Sequence, residues 1–234
     1  MPKLTMQLHV DFSQTVILSP QDYHWVPSPG GQVNRVMLER IGQERARATS
    51  LVEYPKGAAF PSHHHPFGEE ILVLSGTFSE NKQQHYSQGW YLRNPHQSAH
   101  RPSSAEGCVI FVKLMQMQAT EQISVRINSN DRSLWYPTRE GLRLDLYQDQ
   151  YETTYLLETH KHSLCLSDPQ GLEFLLVQGT LQNQQARFTA GTWGRLAAQD
   201  KLHLNANPHS VLYIKRGHVL NAMQLWQQTV GKID

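Results

Sequence analysis

The sequence predicts an all-β protein made of two β-barrel domains in tandem, and three observations lead there. Apolar residues alternate with a period of two far more often than with the helical 3.6, in short runs broken by Gly, Pro, Asn and Ser. The segment Gly68–Thr77 (GEEILVLSGT) recurs as Gly171–Thr180 (GLEFLLVQGT), 103 positions on. Val109–Lys113 (VIFVK) recurs as Val211–Lys215 (VLYIK), 102 positions on. Two matches at nearly one offset imply duplicated units, and a period this long means two domains rather than a solenoid.

Taken in order, the strand candidates of the first half are Arg47–Glu53, Glu70–Leu74, Gly89–Arg93 and Cys108–Leu114. Those of the second half are Thr154–Leu157, Phe174–Val177 and Val211–Lys215. Each is a short apolar or alternating run of strand length. Gly89-Trp90 and Gly191-Thr192-Trp193 fall between the two matched segments and keep the same register. Only Leu220–Trp226 reads as helical. The chain turns polar around Met115–Ser133, which places a division between a domain of residues 1–118 and one of 119–234.

Composition excludes several classes of function. With 234 residues and 39% hydrophobic content the chain can bury a real core. A formal charge of +1 without a dense Lys/Arg block gives no footprint for nucleic acid. No run approaches the roughly 20 apolar residues of a membrane span, and the first residues carry no apolar leader segment. Two cysteines, Cys108 and Cys165, are too few for a disulfide framework and agree with a reduced, cytoplasmic setting. Cys108 sits in an apolar run and reads as a buried thiol.

The chemistry concentrates between Gly57 and His100. His63 and His65 are two apart, so in a strand both imidazoles face one side, whereas His64 faces the other. Glu69 follows the turn-prone Pro66-Phe67-Gly68, which can fold its carboxylate back beside them. His100 would arrive from a distant strand. Histidine is 13 of 234 residues, so three specified positions would all be histidine by composition with odds of about 1 in 6,000. Those odds set aside the reading of solvated loop histidines in favour of a metal site.

These residues carry a resemblance. Gly57, His63, His65, Glu69 and Gly76 meet the first cupin motif, G-x5-H-x-H-x3-E-x6-G, in full. Gly89, Pro95 and His100 meet the second, G-x5-P-x-G-x2-H, with Gln97 in place of its glycine. Phe60–Leu74, Leu92–Pro95 and Ser103–Leu114 further resemble the cupin domain of ChrR-type anti-sigma factors, a likeness covering about the first half. The resemblance implies two tandem jelly-roll barrels, a bicupin, with one divalent metal ion held by His63, His65, Glu69 and His100. Three imidazoles and a carboxylate suit zinc, iron, manganese or nickel, and the ChrR likeness puts zinc first.

The second half lacks this set. At the repeat offsets His63 maps to Leu166, His65 to Asp168, Glu69 to Leu172 and His100 to Leu202. His160-Lys161-His162 falls before the corresponding strand and reads as a polar strand edge, and His203, His209 and His218 share no spacing that joins them into a site. Glu70 and Glu173 read as strand-face residues, Trp90, Tyr91 and Arg93 as either structural or pocket-lining, and Gln97 as a residue reshaping or straining a left-handed turn.

Two functions follow from the resemblance. One is a metal-binding regulatory or sensor protein, with a small-molecule ligand in the N-terminal barrel and a protein partner. Direct sigma-factor binding is not supported, since no His/Cys metal spacing precedes His63. The other is a metal-dependent dioxygenase, its catalytic residues unassigned, in which Ile71, Val73, Ile110 and Val112 line an apolar interior. A homodimer is compatible with either.

Overall fold

A computed structural model describes residues 6–230, apart from residues 31, 44, 82 and 161. Strands make up nearly all of its regular structure. Every predicted strand is present, four of them as Ala46–Tyr54, Glu69–Glu80, Trp90–Asn94 and Cys108–Leu114. Thr153–Thr159, Leu172–Gln178 and Val211–Arg216 are the other three. The predicted helix starts two residues late and spans Ala222–Val230.

The chain forms two compact units. One comprises the described part of Met1–Val10 with His24–Asn130, and the other Asp11–Tyr23 with the described part of Asp131–Asp234. In the first, the antiparallel neighbours run Asn34–Gly42, Ala46–Tyr54, Cys108–Leu114, Glu69–Glu80, Trp90–Asn94. In the second, the same order is Gly141–Gln148, Thr153–Thr159, Val211–Arg216, Leu172–Gln178, Trp193–Leu196. The repeat read in the sequence is thus a repeat of strand order.

The edges differ in origin. Val125–Asn128 pairs with Trp90–Asn94 in the first unit, while Val16–Leu18 pairs with Trp193–Leu196 in the second. The sequence places one division after residue 118. In the structure each sheet instead covers its last strand with a segment from outside its own repeat, which leaves fewer unpaired backbone groups at the edge.

Each unit encloses an apolar core. Tyr54, Ile71, Val73, Phe78, Leu92, Ile110 and Val112 pack together in the first. Leu157, Leu166, Leu172, Phe174, Leu176, Leu212 and Ile214 do so in the second. His160 and His162 lie between the Thr153–Thr159 and Ser163–Ser167 strands, outside both, rather than on a strand edge. Lys161 lies outside the described residues.

One strand shapes the first unit. Glu69–Glu80 pairs with Cys108–Leu114 over its first half, but the ladder slips between Val109 and Ile110, a β-bulge. Past Gly76 it turns to new partners, Gln84–Ser87 and Pro102–Ser103. Gly76 has φ +69°, and a Cβ there would stand 2.0 Å from the Gly107 carbonyl oxygen. Only glycine fits that corner.

Candidate metal centre

A two-stranded ribbon carries the histidines. His63–His65 pairs antiparallel with Ser98–His100, in a register that sets His63 opposite His100 and His65 opposite Ser98. His63 and His65 turn inward while His64 is exposed, as period-two alternation requires. The imidazole centroids of His63, His65 and His100 stand 4.6–5.1 Å from one another.

Two turns hold this ribbon in place. Gly68 N–H donates to the His65 carbonyl at 3.1 Å, closing a turn with Pro66 next and Phe67 at φ +54°. Proline followed by a left-handed residue is the type II pattern. It returns the chain within four residues, so that Glu69 opens the next strand beside the histidines. Ser98 N–H donates to Pro95 O at 3.0 Å, and Gln97 N–H donates to that same His65 carbonyl at 3.0 Å. Gln97 has φ +64°, so glutamine occupies the left-handed position where the motif has glycine. The turn is kept, at a conformational cost of roughly 1–2 kcal/mol.

The ligating atoms meet at one point. His65 Nε2 and His100 Nε2 are 2.8 Å apart, and Glu69 Oε2 is 3.5 Å from each. His63, His65 and His100 each bring a ring nitrogen within 4.8 Å of the others. Ligands about 2.1 Å from one ion stand about 3.0 Å apart at right angles and about 3.4 Å apart in a tetrahedron. The observed spacings match such a set. Two imidazole nitrogens and a carboxylate aimed at one point also require positive charge there, a shared proton or a cation. His65, His100 and Glu69 are all buried.

Residues outside the motif orient these side chains. His100 Nδ1–H donates to Glu80 Oε1 at 2.7 Å, which leaves Nε2 for the centre. His63 Nδ1–H donates to the Pro61 carbonyl at 2.9 Å with the same effect. Asn94 Nδ2 donates to both Glu69 Oε2, at 3.1 Å, and Glu80 Oε1, at 3.0 Å. Arg126 donates to Glu80 Oε2 at 2.9 Å and to Asn94 Oδ1 at 2.6 Å. The Glu69, Glu80 and His100 ligand atoms lie within 4.8 Å of one another, although a straight twelve-residue strand would set Glu69 and Glu80 roughly 35–40 Å apart. The corner at Gly76 closes that gap.

The local charges follow from this packing. Burial alone would raise the Glu80 carboxyl, but the His100 hydrogen bond, the Arg126 charge and Asn94 outweigh it and bring it down to about 2. Burial opposes protonation of His100, yet Glu69 and Glu80 hold it above its ordinary value. Burial holds His65 below its own, against the pull of Glu69. Of the two facing imidazoles, His100 is thus held the more basic and His65 the less.

Glu80, Asn94 and Arg126 have no place in the sequence reading. Asn94 lies in the Leu92–Pro95 stretch that carries the resemblance, but Glu80 and Arg126 follow no motif. Arg93 lies on the opposite face, where it donates to Glu70 at 3.0 Å and to both oxygens of Glu121. Glu70 is thus a strand-face ion-pair residue, as expected, and Arg93 is structural. Glu173, its counterpart, accepts from Trp193 Nε1 at 2.7 Å. Trp90 packs edge-on to Tyr86 beside the first core. Cys108 is buried, its thiol pushed up to about 11 chiefly by desolvation.

In the second unit, Leu166 pairs with Leu202 across two strands, as His63 does with His100. Leu166 and Leu172 sit in the core with Leu202 packed against them. Leucines thus stand at the counterparts of His63, Glu69 and His100, and Asp168 at that of His65.

Comparison with known proteins agrees. Residues 13–118 match the ChrR cupin-like domain family. No curated protein matches the sequence. Among solved structures, Ylba from E. coli superposes with a TM-score of 0.64 at 16% identity, over 88% of this chain and 92% of that one. A putative dioxygenase from Nostoc punctiforme gives 0.69 at 13% identity, over 89% and 84%. The bacterial pirin YhhW from E. coli, in complex with nickel(II), gives 0.61 at 9% identity, over 86% and 98%. At such identities these three speak for the fold alone. Strand order, motif and family match converge: the chain has the cupin fold, and its residues 13–118 match the ChrR cupin-like domain family.

Proposed function

We propose that the first unit binds one divalent metal ion through His63, His65, Glu69 and His100, and that the protein is a ChrR-like regulatory or sensor cupin working in the cytoplasm. The observation that carries this reading is the convergence of three imidazoles and a carboxylate on one buried point, with His100 turned to it by Glu80. The match of residues 13–118 supports the regulatory role. A set of three nitrogens and one oxygen admits zinc, iron, manganese or nickel. Zinc comes first on the family likeness. When bound, the ion supplies Lewis-acid positions for a small ligand. The protein's part is to orient the imidazoles through Glu80 and the Pro61 carbonyl and to exclude water with Tyr54, Phe60 and Phe78, whose rings pack in sequence beside His63 and His100.

A metal-dependent dioxygenase is the second reading, favoured by the likeness to the Nostoc putative dioxygenase over most of both chains. Elemental analysis of the protein as isolated, followed by oxygen uptake of the iron-loaded form with β-diketones, thiols and flavonols, separates the two. Zinc without turnover, together with a recovered protein partner, supports the regulator. Turnover of any substrate moves the assignment to the enzyme. Equal metal content in the wild type and in a His63→Ala/His65→Ala variant would overturn both.

A further inference from the structure

Among the described residues, one group of ligating side chains converges away from the first-unit centre: Glu158, His160 and His209 in the second unit. The sequence separates them into two stretches with no common spacing, and the fold joins them. We propose that this trio is a second, solvent-facing binding site for a borderline divalent cation such as Zn²⁺ or Ni²⁺.

His209 Nδ1 is 2.7 Å and His160 Nε2 3.8 Å from the same carboxylate oxygen, Glu158 Oε1. Three ligand atoms within 4.8 Å of one another can share an ion after small side-chain rotations. Two imidazoles and one carboxylate are a donor set for zinc, nickel or copper rather than for magnesium or calcium. Arg132 Nη2 lies 2.7 Å from the other oxygen, Oε2, and its guanidinium stacks on Trp135. Arg132 weakens cation binding by repulsion, while leaving Oε1 to the histidines. Both histidine side chains are open to solvent, at 46% for His160 and 72% for His209, so an ion can enter.

The backbone beneath the trio is fixed. Asn207-Pro208-His209-Ser210 closes a turn through Ser210 N–H to Asn207 O at 3.2 Å. His209 N–H donates to Thr159 O, and Thr159 N–H to Ser210 O, both at 2.8 Å, which ties the turn to the end of the Thr153–Thr159 strand. His160 N–H donates to Glu140 O at 3.2 Å. His209 holds φ +62°. Its counterpart in the first unit, 102 positions earlier, is Gly107 at φ +93°. A histidine thus stands at a left-handed position that suits glycine, its ring turned to Glu158.

The test is equilibrium titration of the ion-free full-length chain with Zn²⁺ and, separately, Ni²⁺, comparing the wild type with His209→Gly and His160→Ala. His209→Gly installs the residue that the first unit has at this turn, and His160 is exposed, so both variants retain the fold by Tm. We expect each variant to bind one equivalent fewer than the wild type, or to bind that equivalent at least tenfold more weakly. The step of one equivalent reads this site whatever the first unit binds. Unchanged stoichiometry and affinity in either variant overturns the proposal.

Discussion

Glu80 is the residue on which the geometry of the first-unit centre turns. It accepts from His100, Asn94 and Arg126 at once, and is almost fully buried. Glu80→Gln keeps the shape but removes the charge that fixes the His100 tautomer. Metal affinity is expected to fall about 10- to 100-fold, read by competition with a chromophoric chelator, with Tm of the ion-free protein changing far less. Acid acts on the same pair of histidines. His100 is held above its ordinary value of 6.5 and His65 below it, so protons reach His100 first. Because bound metal competes with these protons, apparent metal affinity should fall as pH is lowered, as a competition titration at several pH values would show. In the ion-free protein the signs are opposite: the His100 contribution is complete below 6.5 and lost as pH rises through its raised value. That of His65 is complete above 6.5 and lost as pH falls through its lowered value. His63, His65, Glu69 and His100 were legible in the sequence because short spacing within a motif encodes them. Glu80 and Arg126 were not, since their place depends on a strand corner and on a linker strand that no local pattern announces.

At the scale of elements, the corner in Glu69–Glu80 is the feature that brings the centre together. Gly76→Ala would press a methyl group into the Gly107 carbonyl at a left-handed φ. A loss of about 2 kcal/mol or more is expected in chemical denaturation, together with metal loss, because the Glu80 end of the strand would shift. Seven strands were legible from short apolar or alternating runs, although Glu70–Leu74 stops six residues short of Glu80, and Asn34–Gly42 and Gly141–Gln148 were not read. The Val125–Asn128 strand was not, because the polar Met115–Ser133 stretch reads as linker, yet it delivers Arg126 to Glu80.

Across the whole molecule, the second unit keeps the strand order, has leucines at the counterparts of His63, Glu69 and His100, and takes its edge strand from Val16–Leu18. Ile17 packs against the second core, so Ile17→Asp is expected to lower amide protection along Trp193–Leu196 by about 1–3 kcal/mol. Hydrogen exchange would measure this, with the proposed metal binding of the first unit unchanged. The bulge recurs as well: the ladder slips between Leu176 and Gln178 in the second unit, as it does beside Val109 in the first. In phase terms, a strand of strict alternation turns residues eleven apart to opposite faces, and Glu69 and Glu80 are eleven apart. The bulge inserts half a period. Inward positions pass from odd numbers, Ile71 and Val73, to an even one, Phe78, and in the second unit from Phe174 and Leu176 to Leu181. Without the bulge, a strand of this same length would send Phe78 and Glu80 outward together, so one extra residue in the ladder separates a framed His100 from an unframed one.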